Sequence, residues 1–294
     1  MPTLKEIKGR ISSVRSTLKI TSAMKLVSSA KLRKAQLATE AMRPYEAKLQ
    51  QMLSEVQPAT ERNILSAFRR SESEASLPDA IVAIASNSSL CGGFNANAIA
   101  KVREVRRRGD VVYSIGRKMA DAMRKDGFPT PEDFTHLAEH PAYGPAAALV
   151  ENLTAAVAEG RFGQILLVYN HFVSTARQVP VAEVLVGGKD SFSAASAYNL
   201  APENVSLSDA EGMIIEPSRG ELLEVLIPKT LKLKLYAALL DSAAAEHAAR
   251  TVAMQTATDN AENLLQELTL QYNKGRQQKI TSEILDLAGG QSAE

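Results

Sequence analysis

Histidine and glutamate occur at metal-binding spacing in one short stretch of the sequence, HLAEH at residues 136–140. On a helix, two histidines four residues apart share one face and can bind zinc, while the glutamate acts as a base. Pro141, Gly144 and Pro145 follow at once, and such residues oppose a regular helix. We therefore predict a polar loop here. A zinc hydrolase stays an alternative that depends on this motif.

The single cysteine of the chain, Cys91, lies in the stretch SNSSLCGGFN at residues 86–95. A glycine-rich turn between a strand and a helix can bind phosphate or present a nucleophile. This stretch lacks the lysine of a phosphate-binding loop and the spaced glycines of a dinucleotide site, and the sequence places no histidine base beside Cys91. The pattern predicts a glycine-dependent turn with no catalytic or cofactor-binding residue.

Two long helices must flank the region that holds these stretches. Residues 1–57 carry apolar side chains three and four positions apart, and their one internal proline, Pro44, is expected to kink the helix or end its straight portion. A second long helix is predicted to begin at Pro228, because proline is favoured in the first turn, and to reach Ala288. We expect the two helices to pair as a long antiparallel coiled coil.

The middle of the chain alternates strand and helix patterns. Strands are predicted at 79–86, 110–116, 163–172 and 179–186, and helices at 95–108, 117–126 and 146–159. The order predicts a small, mainly parallel, Rossmann-like α/β domain whose fourth strand is antiparallel at an edge. Residues 187–211 have the composition of a surface loop. We therefore divide the chain into an N-terminal helix (1–57), an α/β domain (78–211) and a C-terminal helix (212–294).

Charge is unevenly distributed, although the formal net charge is +1. No acidic residue lies between Glu6 and Glu40, a stretch with eight lysines and arginines. This basic coat admits a nucleic-acid partner, so a basic coiled-coil nucleic-acid binder stays an alternative, but only 5% of residues are aromatic and few could stack on bases. Because no apolar run approaches about 18 residues, we expect neither a signal peptide nor a membrane span.

Several stretches resemble the γ-subunit family of F-type ATP synthases. RISSVRSTLKITSAMKLVSSAKLRKAQ at 10–36 is similar to that family's first helix, and SSLCGGFNAN at 88–97 to its Leu-Cys-Gly-Gly loop. SAAAEHAARTVAMQTATDNAENLL at 242–265 and YNKGRQQKITSEILDLAGG at 272–290 are similar to its C-terminal helix and signature. The resemblance covers essentially the whole chain.

The resemblance implies a central rotor shaft that couples ion-driven rotation of a membrane c ring to ATP synthesis or hydrolysis at β-subunit sites. The implied partners are three α and three β subunits, ε and the c ring, with no nucleic acid and with membrane contact only through the complex. The chain itself is expected to be non-catalytic and to need no cofactor or metal. The implied location is the cytoplasmic face of a bacterial inner membrane, as a peripheral protein.

The resemblance also implies which residues contact the ring of α and β subunits. Residues on the shaft or in polar contacts with β are Met24, Lys25, Arg250, Arg276, Gln277, Thr281 and Glu283. Residues expected in an apolar sleeve are Ile284, Leu285 and Leu287. The loop expected at the lower edge of β contains Asn87, Ser88, Ser89 and Cys91.

Three features depart from the family's usual pattern. Asn87, Ser88 and Ser89 stand where relatives usually have Asp and Arg or Lys, so we expect hydrogen bonds in place of ionic contacts there. The tail GGQSAE is more polar than the usual alanine-rich end, which predicts a shorter apolar bearing. Gly275 replaces the customary alanine and is expected to loosen the helix by up to about 1 kcal/mol.

Overall fold

The computed structural model describes residues 3–56, 77–128, 130–187, 216 and 218–290, with the backbone alone at 54, 55 and 286–290. Most of the predicted surface loop at 187–211, and the last residues of the polar tail, lie outside the described residues.

Within the described residues, six helices and four strands form. The helices are α1 (Leu4–Val56), α2 (Phe94–Val105), α3 (Arg117–Lys125), α4 (Thr135–Glu139), α5 (Tyr143–Ala158) and α6 (Arg219–Gly290). The strands are β1 (Ala80–Ile84), β2 (Val111–Ile115), β3 (Ile165–Ser174) and β4 (Arg177–Val186). All four predicted strands are confirmed.

The strands form one sheet in the order β2-β1-β3-β4. β1 is parallel to both of its neighbours, with Ala80 beside Val111 and Ile165, and β4 is antiparallel to β3 at an edge. A central parallel strand is covered on both faces, which explains why every residue of β1 is apolar and buried. The prediction of a mainly parallel sheet with an antiparallel edge is confirmed.

Helices cover both faces of the sheet. On one face, Ala80, Val82 and Ile84 pack with α5, the end of α1 and the first half of α6, through residues such as Leu53 and Leu231. On the other face, Ile81 and Ala83 pack with α2 and α3, through Val102, Met119 and Met123. The period-two alternation of β1 therefore places its side chains in two separate cores.

The chain divides into two compact units, which we call the α/β unit (Lys31–Ala249) and the helical unit (Met1–Ala30 with Arg250–Glu294). In the helical unit, Leu4 of α1 lies beside Gly275 of α6, and Thr21 Oγ1 lies 3.0 Å from Thr258 Oγ1. From the first pair to the second, the residue number rises along α1 by as much as it falls along α6, so the two helices run antiparallel. The antiparallel pairing of the two terminal helices is confirmed; the division at residues 57, 78, 211 and 212 stays a prediction.

The start of α6 differs from the prediction. The helix begins at Arg219, and Pro228 lies inside it. Its start is capped by Ser218, whose Oγ accepts the Glu221 backbone N–H at 3.3 Å and donates to the Glu221 carboxylate at 3.2 Å. Ser-x-x-Glu is a known signature of a helix start, and SRGE at 218–221 matches it. α1 continues through Pro44 to Val56, so Pro44 does not end the helix, and a kink at Pro44 stays a prediction.

Candidate functional site

The turn after β1 lies at the point where the chain order of the sheet reverses, because β2 and β3 lie on opposite sides of β1. Doubly wound α/β folds bind ligands in the crevice at this point. Here Cys91 and Phe94 pack in a buried cluster with Ala245 of α6 and Phe172 of β3. The crevice is therefore filled by a helix of the same unit, and the turn supports that helix.

Cys91 is buried and held by polar neighbours in the same turn. Its Sγ accepts from Asn95 Nδ2 at 3.2 Å and lies 3.8 Å from Ser86 Oγ. The glycine-dependent turn is confirmed at Gly92, whose φ is +57°. Leu90 has a φ of +66° although it is not a glycine, a conformation that costs about 1–2 kcal/mol, and its side chain is exposed.

The side chain of Asn87 connects three elements of the α/β unit. Its Nδ2 donates to the Thr135 carbonyl at 2.9 Å, and its Oδ1 accepts the Arg117 N–H at 3.0 Å. The turn after β1 is thereby tied to the first residues of α3 and α4. Ser88 and Ser89 are exposed. Contact of this loop with a β subunit stays a prediction.

The HLAEH stretch forms a short helix, so the prediction of a polar loop is wrong. α4 covers Thr135–Glu139, and His140 ends it. Two local features explain the helix: the Asp133 carboxylate accepts the Thr135 N–H at 2.8 Å, and Leu137 is fully buried against the sheet core. Hydrogen bonds from Thr135 also hold the pKa of Asp133 below its ordinary value.

The described part of the chain contains no cluster of side chains that supports the zinc-hydrolase alternative. His136 and His140 are exposed at opposite ends of a five-residue helix. No cluster of three or more His, Cys, Asp or Glu side chains suited to a metal ion occurs among the described residues.

The predicted contact residues of the helical unit fall into two groups. Met24 and Lys25 are half-buried on α1, and Arg250 is only 8% exposed on α6. The remaining described members are all exposed near the end of α6: Arg276, Gln277, Thr281, Glu283, Ile284 and Leu285. The side chain of Leu287 lies outside the described residues.

The exposed end of α6 makes local contacts within its own helix. Thr281 Oγ1 donates to the Gln277 carbonyl at 2.9 Å, and Lys279 Nζ lies 3.7 Å from the Glu283 carboxylate. Such exposed ion pairs contribute little to stability, so these side chains are available to a partner at small cost.

The helical unit also exposes large apolar side chains. Ile20, Leu26 and Val27 of α1 are more than half exposed, as are Leu270 and Leu285 of α6. A pair of helices buries one stripe of each helix, and these residues lie outside that stripe. The basic coat of α1 is exposed as well, at Lys8, Arg10, Arg15 and Lys19 among others.

Two residues outside the predicted set form a close polar contact in the α/β unit. His171 Nδ1 lies 2.6 Å from the Oδ2 atom of Asp241, which is buried in α6. The sequence held one signal for this contact: Asp241 is a lone acid in the otherwise apolar run LYAALLDSAAA.

Comparison with known proteins identifies relatives along the whole chain. The sequence model of the family described as ATP synthase matches residues 3–293. The ATP synthase gamma chain of Phocaeicola vulgatus is 44% identical over 307 residues and covers all of both chains. That of Flavobacterium johnsoniae is 40% identical over 304 residues, covering all of this chain and 99% of the relative.

Solved structures share the fold at lower identity. A chain of the mitochondrial ATP synthase of Euglena gracilis (OSCP/F1/c-ring, rotational state 3) aligns with a TM-score of 0.66 at 20% identity, covering 99% of this chain and 94% of that one. A rotor chain from the same organism gives 0.62 at 20% identity, covering 94% and 98%.

The nucleic-acid and zinc alternatives gain no support from these matches. Among the described residues, no helix combines the length and apolar character that a membrane span requires. With a family match over residues 3–293 and relatives this similar over their full length, the chain belongs to the F-type ATP synthase family, as one of its non-catalytic gamma chains.

Proposed function

We propose that this chain is the central rotor shaft of an F-type ATP synthase, which couples rotation of a c ring to ATP synthesis or hydrolysis at β-subunit sites. The observation that carries the proposal is an antiparallel helix pair with apolar side chains on its outside, such as Leu26 and Leu270, each 70% exposed. Apolar contacts have no preferred direction, so a sleeve around such a pair permits rotation.

Polar contacts between the shaft and β belong to the same proposal. Arg276, Gln277, Thr281 and Glu283 are exposed and charged or polar, as such contacts require. Hydrogen bonds to charged groups contribute about 1.5–3 kcal/mol each, enough to hold one rotary position over another. Arg250 is nearly buried, so we assign it to bracing the shaft, and we assign Met24 and Lys25 to the α1 surface of the shaft.

We propose the remaining contacts and the location from the same reasoning. Ile284, Leu285 and Leu287 enter the apolar sleeve, residues 1–57 and 212–294 supply the shaft helices, and residues 78–211 meet ε and the c ring. Asn87, Ser88, Ser89 and Cys91 form the loop facing the lower edge of β. The complex places the chain at the cytoplasmic face of a bacterial inner membrane, held there by its partners.

Assembly is the first test. Co-expression with the cognate α and β subunits should give a complex of three α, three β and one copy of this chain, with ATPase activity, by sizing and activity assay. A chain that stays separate from α and β would overturn the proposal. Salt-sensitive DNA binding stronger than this association would favour the basic coiled-coil alternative, and stoichiometric zinc lost in His136→Ala would favour the hydrolase.

The polar contacts are tested in the assembled holoenzyme. Arg276→Ala with Gln277→Ala should lower ATP-driven ion pumping relative to ATP hydrolysis, because the contact that resists slippage is lost. Glu262→Ala, on an exposed position of the same helix, serves as the matched control. Truncation before Gly275 should preserve assembly and weaken coupling further. Unchanged pumping in both variants would remove these residues from the coupling contact.

A further inference from the structure

The β3–β4 hairpin extends beyond the shorter strand β1. β1 pairs with β3 only over Ile165–Val168, so the later part of β3 has no β1 partner. There the backbone N–H of Phe172 donates to the carboxylate of Asp241 on α6, at 3.3 Å to Oδ1 and 3.4 Å to Oδ2. The carboxylate thus connects α6 to the hairpin.

His171, the preceding residue of β3, contacts the same carboxylate. Its Nδ1 lies 2.6 Å from Asp241 Oδ2, and the side chain of Asp241 is 9% exposed against 28% for His171. Two consecutive residues of β3 therefore hold one buried carboxylate. A contact that short between imidazole and carboxylate is typical of a charge-assisted hydrogen bond.

Charged groups from two further elements, and one more from α6 itself, face this contact. They are Arg43 and Glu46 of α1, Glu183 of β4 and Lys234 of α6. Lys234 Nζ lies 3.4 Å from the Glu183 carboxylate, which also accepts from the Tyr169 hydroxyl at 3.1 Å. With His171 neutral, these side chains together with Asp241 carry more negative than positive charge, and a proton on His171 balances them.

The surroundings of His171 favour its charged form. The hydrogen bond with Asp241 raises the pKa of His171 above 6.5, and partial burial opposes this rise without reversing it. Because the folded pKa is raised, the stabilisation is fully present below the unfolded pKa of about 6.5 and is lost as the pH rises through the folded pKa.

We propose that His171 and Asp241 form a protonation-dependent latch, in which the imidazolium holds α6 against the β3–β4 hairpin and its deprotonation loosens that attachment. The regulatory consequence rests on the proposed function: if α6 carries torque, loosening its attachment to the β3–β4 hairpin lowers coupling at alkaline pH on the side of the membrane where the hairpin lies.

The latch itself is tested in the full chain by NMR. His171 should titrate above pH 6.5, the ordinary value for histidine, and Asp241→Asn, which keeps an acceptor for the Phe172 N–H, should lower its midpoint. The exchange protection of the Phe172 amide should fall as pH rises from 6.5 to 9, and it should stay level in His171→Gln. A His171 midpoint at or below 6.5, or one that Asp241→Asn leaves unchanged, overturns the latch.

The consequence is tested in the holoenzyme. The ratio of ions pumped to ATP hydrolysed should fall with rising pH in the parent and stay level in His171→Gln, with His136→Gln behaving as the parent. Equal profiles in the parent and His171→Gln overturn the regulatory role. Failure of the parent chain to assemble with α and β would count against the proposed function, and the NMR titration would still decide the latch.

Discussion

The Cδ2 atom of Leu4 fills the space beside Gly275: a Cβ atom built on Gly275 would lie 3.1 Å from it. Gly9, on α1 of the same unit, has no such neighbour within 4 Å. A methyl group added at Gly275 must therefore displace a side chain, whereas one added at Gly9 meets none.

Gly275→Ala should stabilise the full chain by less than Gly9→Ala. Alanine gains up to about 1 kcal/mol over glycine in a helix interior, and at Gly275 part of that gain is offset by the shift of Leu4. Urea unfolding of both variants measures the difference. Adding Leu4→Ala to Gly275→Ala should remove the offset in a double-mutant cycle, and a zero coupling energy would contradict the contact.

Gly116→Ala should destabilise the α/β unit more than Gly109→Ala. Both glycines have a φ near +100°, so both variants carry backbone strain of about 1–3 kcal/mol. A Cβ at Gly116 would also lie 2.1 Å from the Ala85 carbonyl oxygen, whereas Gly109 faces open space. Ala85 cannot move away freely, because its N–H donates to the Ile115 carbonyl at 2.9 Å.

The added cost at Gly116 should be about 1–3 kcal/mol, the usual range for overpacking. Urea unfolding with circular dichroism measures both variants. Equal losses in the two variants would show that strain alone, and not the close approach of β1 and β2, requires glycine at position 116.

Asn87→Ala should cost about 2 kcal/mol, because two hydrogen bonds of about 1 kcal/mol each are lost around a partly buried side chain. Asn87→Asp should cost less, since a carboxylate still accepts the Arg117 N–H at the start of α3, where negative charge is favoured. The bond to the Thr135 carbonyl is lost, and the second carboxylate oxygen must turn away from that carbonyl because both atoms are acceptors. Thermal unfolding measures the stability of each variant, and Asn97→Ala, which removes an exposed amide on α2, serves as the control. An Asn87→Asp variant less stable than Asn87→Ala would contradict this ranking.

The sheet could be predicted from sequence because its signals are local. β1 is an uninterrupted apolar run, and the runs that follow alternate with helix patterns, so order and direction follow from general rules. The start of α6 had an equally local signal in Ser218 and Glu221. The predicted start at Pro228 was wrong, since the helix begins earlier and contains this proline. At α4, Pro141 and Pro145 favoured the prediction of a loop, whereas burial of Leu137 in the core stabilises a short helix.

Contacts between distant residues explain what the sequence left unaccounted for. Thr21 is a polar residue in the apolar seam of α1, and the structure explains it by a hydrogen bond: the hydroxyl of Thr258, 237 positions away, donates to the hydroxyl of Thr21. Asp241 is an acidic residue in an apolar run, and its contact with His171, 70 positions away, explains it. A pattern within one helix shows that such a residue is unusual, but its partner is known only after the chain folds. The contact residues proposed for α and β stay predictions for a related reason, since those partners are other chains.

Glu46→Gln should stabilise the full chain at neutral pH and have less effect near pH 4. Burial raises the pKa of Glu46 above 4.5, despite the opposing charges of Lys234 and Arg43, and Asp241 and Glu183 add to the rise. The folded state therefore binds this proton more tightly than the unfolded state, so the ionised carboxylate costs stability as the pH rises through and above its folded pKa.

Glutamine keeps the size of the side chain and has no charge to bury, so that cost disappears while the low-pH stability is preserved. Melting temperatures of the parent and Glu46→Gln from pH 4 to pH 8 should therefore diverge with increasing pH, the variant being higher. Glu262→Gln, on an exposed position where water hydrates the carboxylate, is the control and should follow the parent throughout. A variant that melts lower than the parent at pH 7 would mean that attraction to Lys234 and Arg43 outweighs the cost of burying the charge.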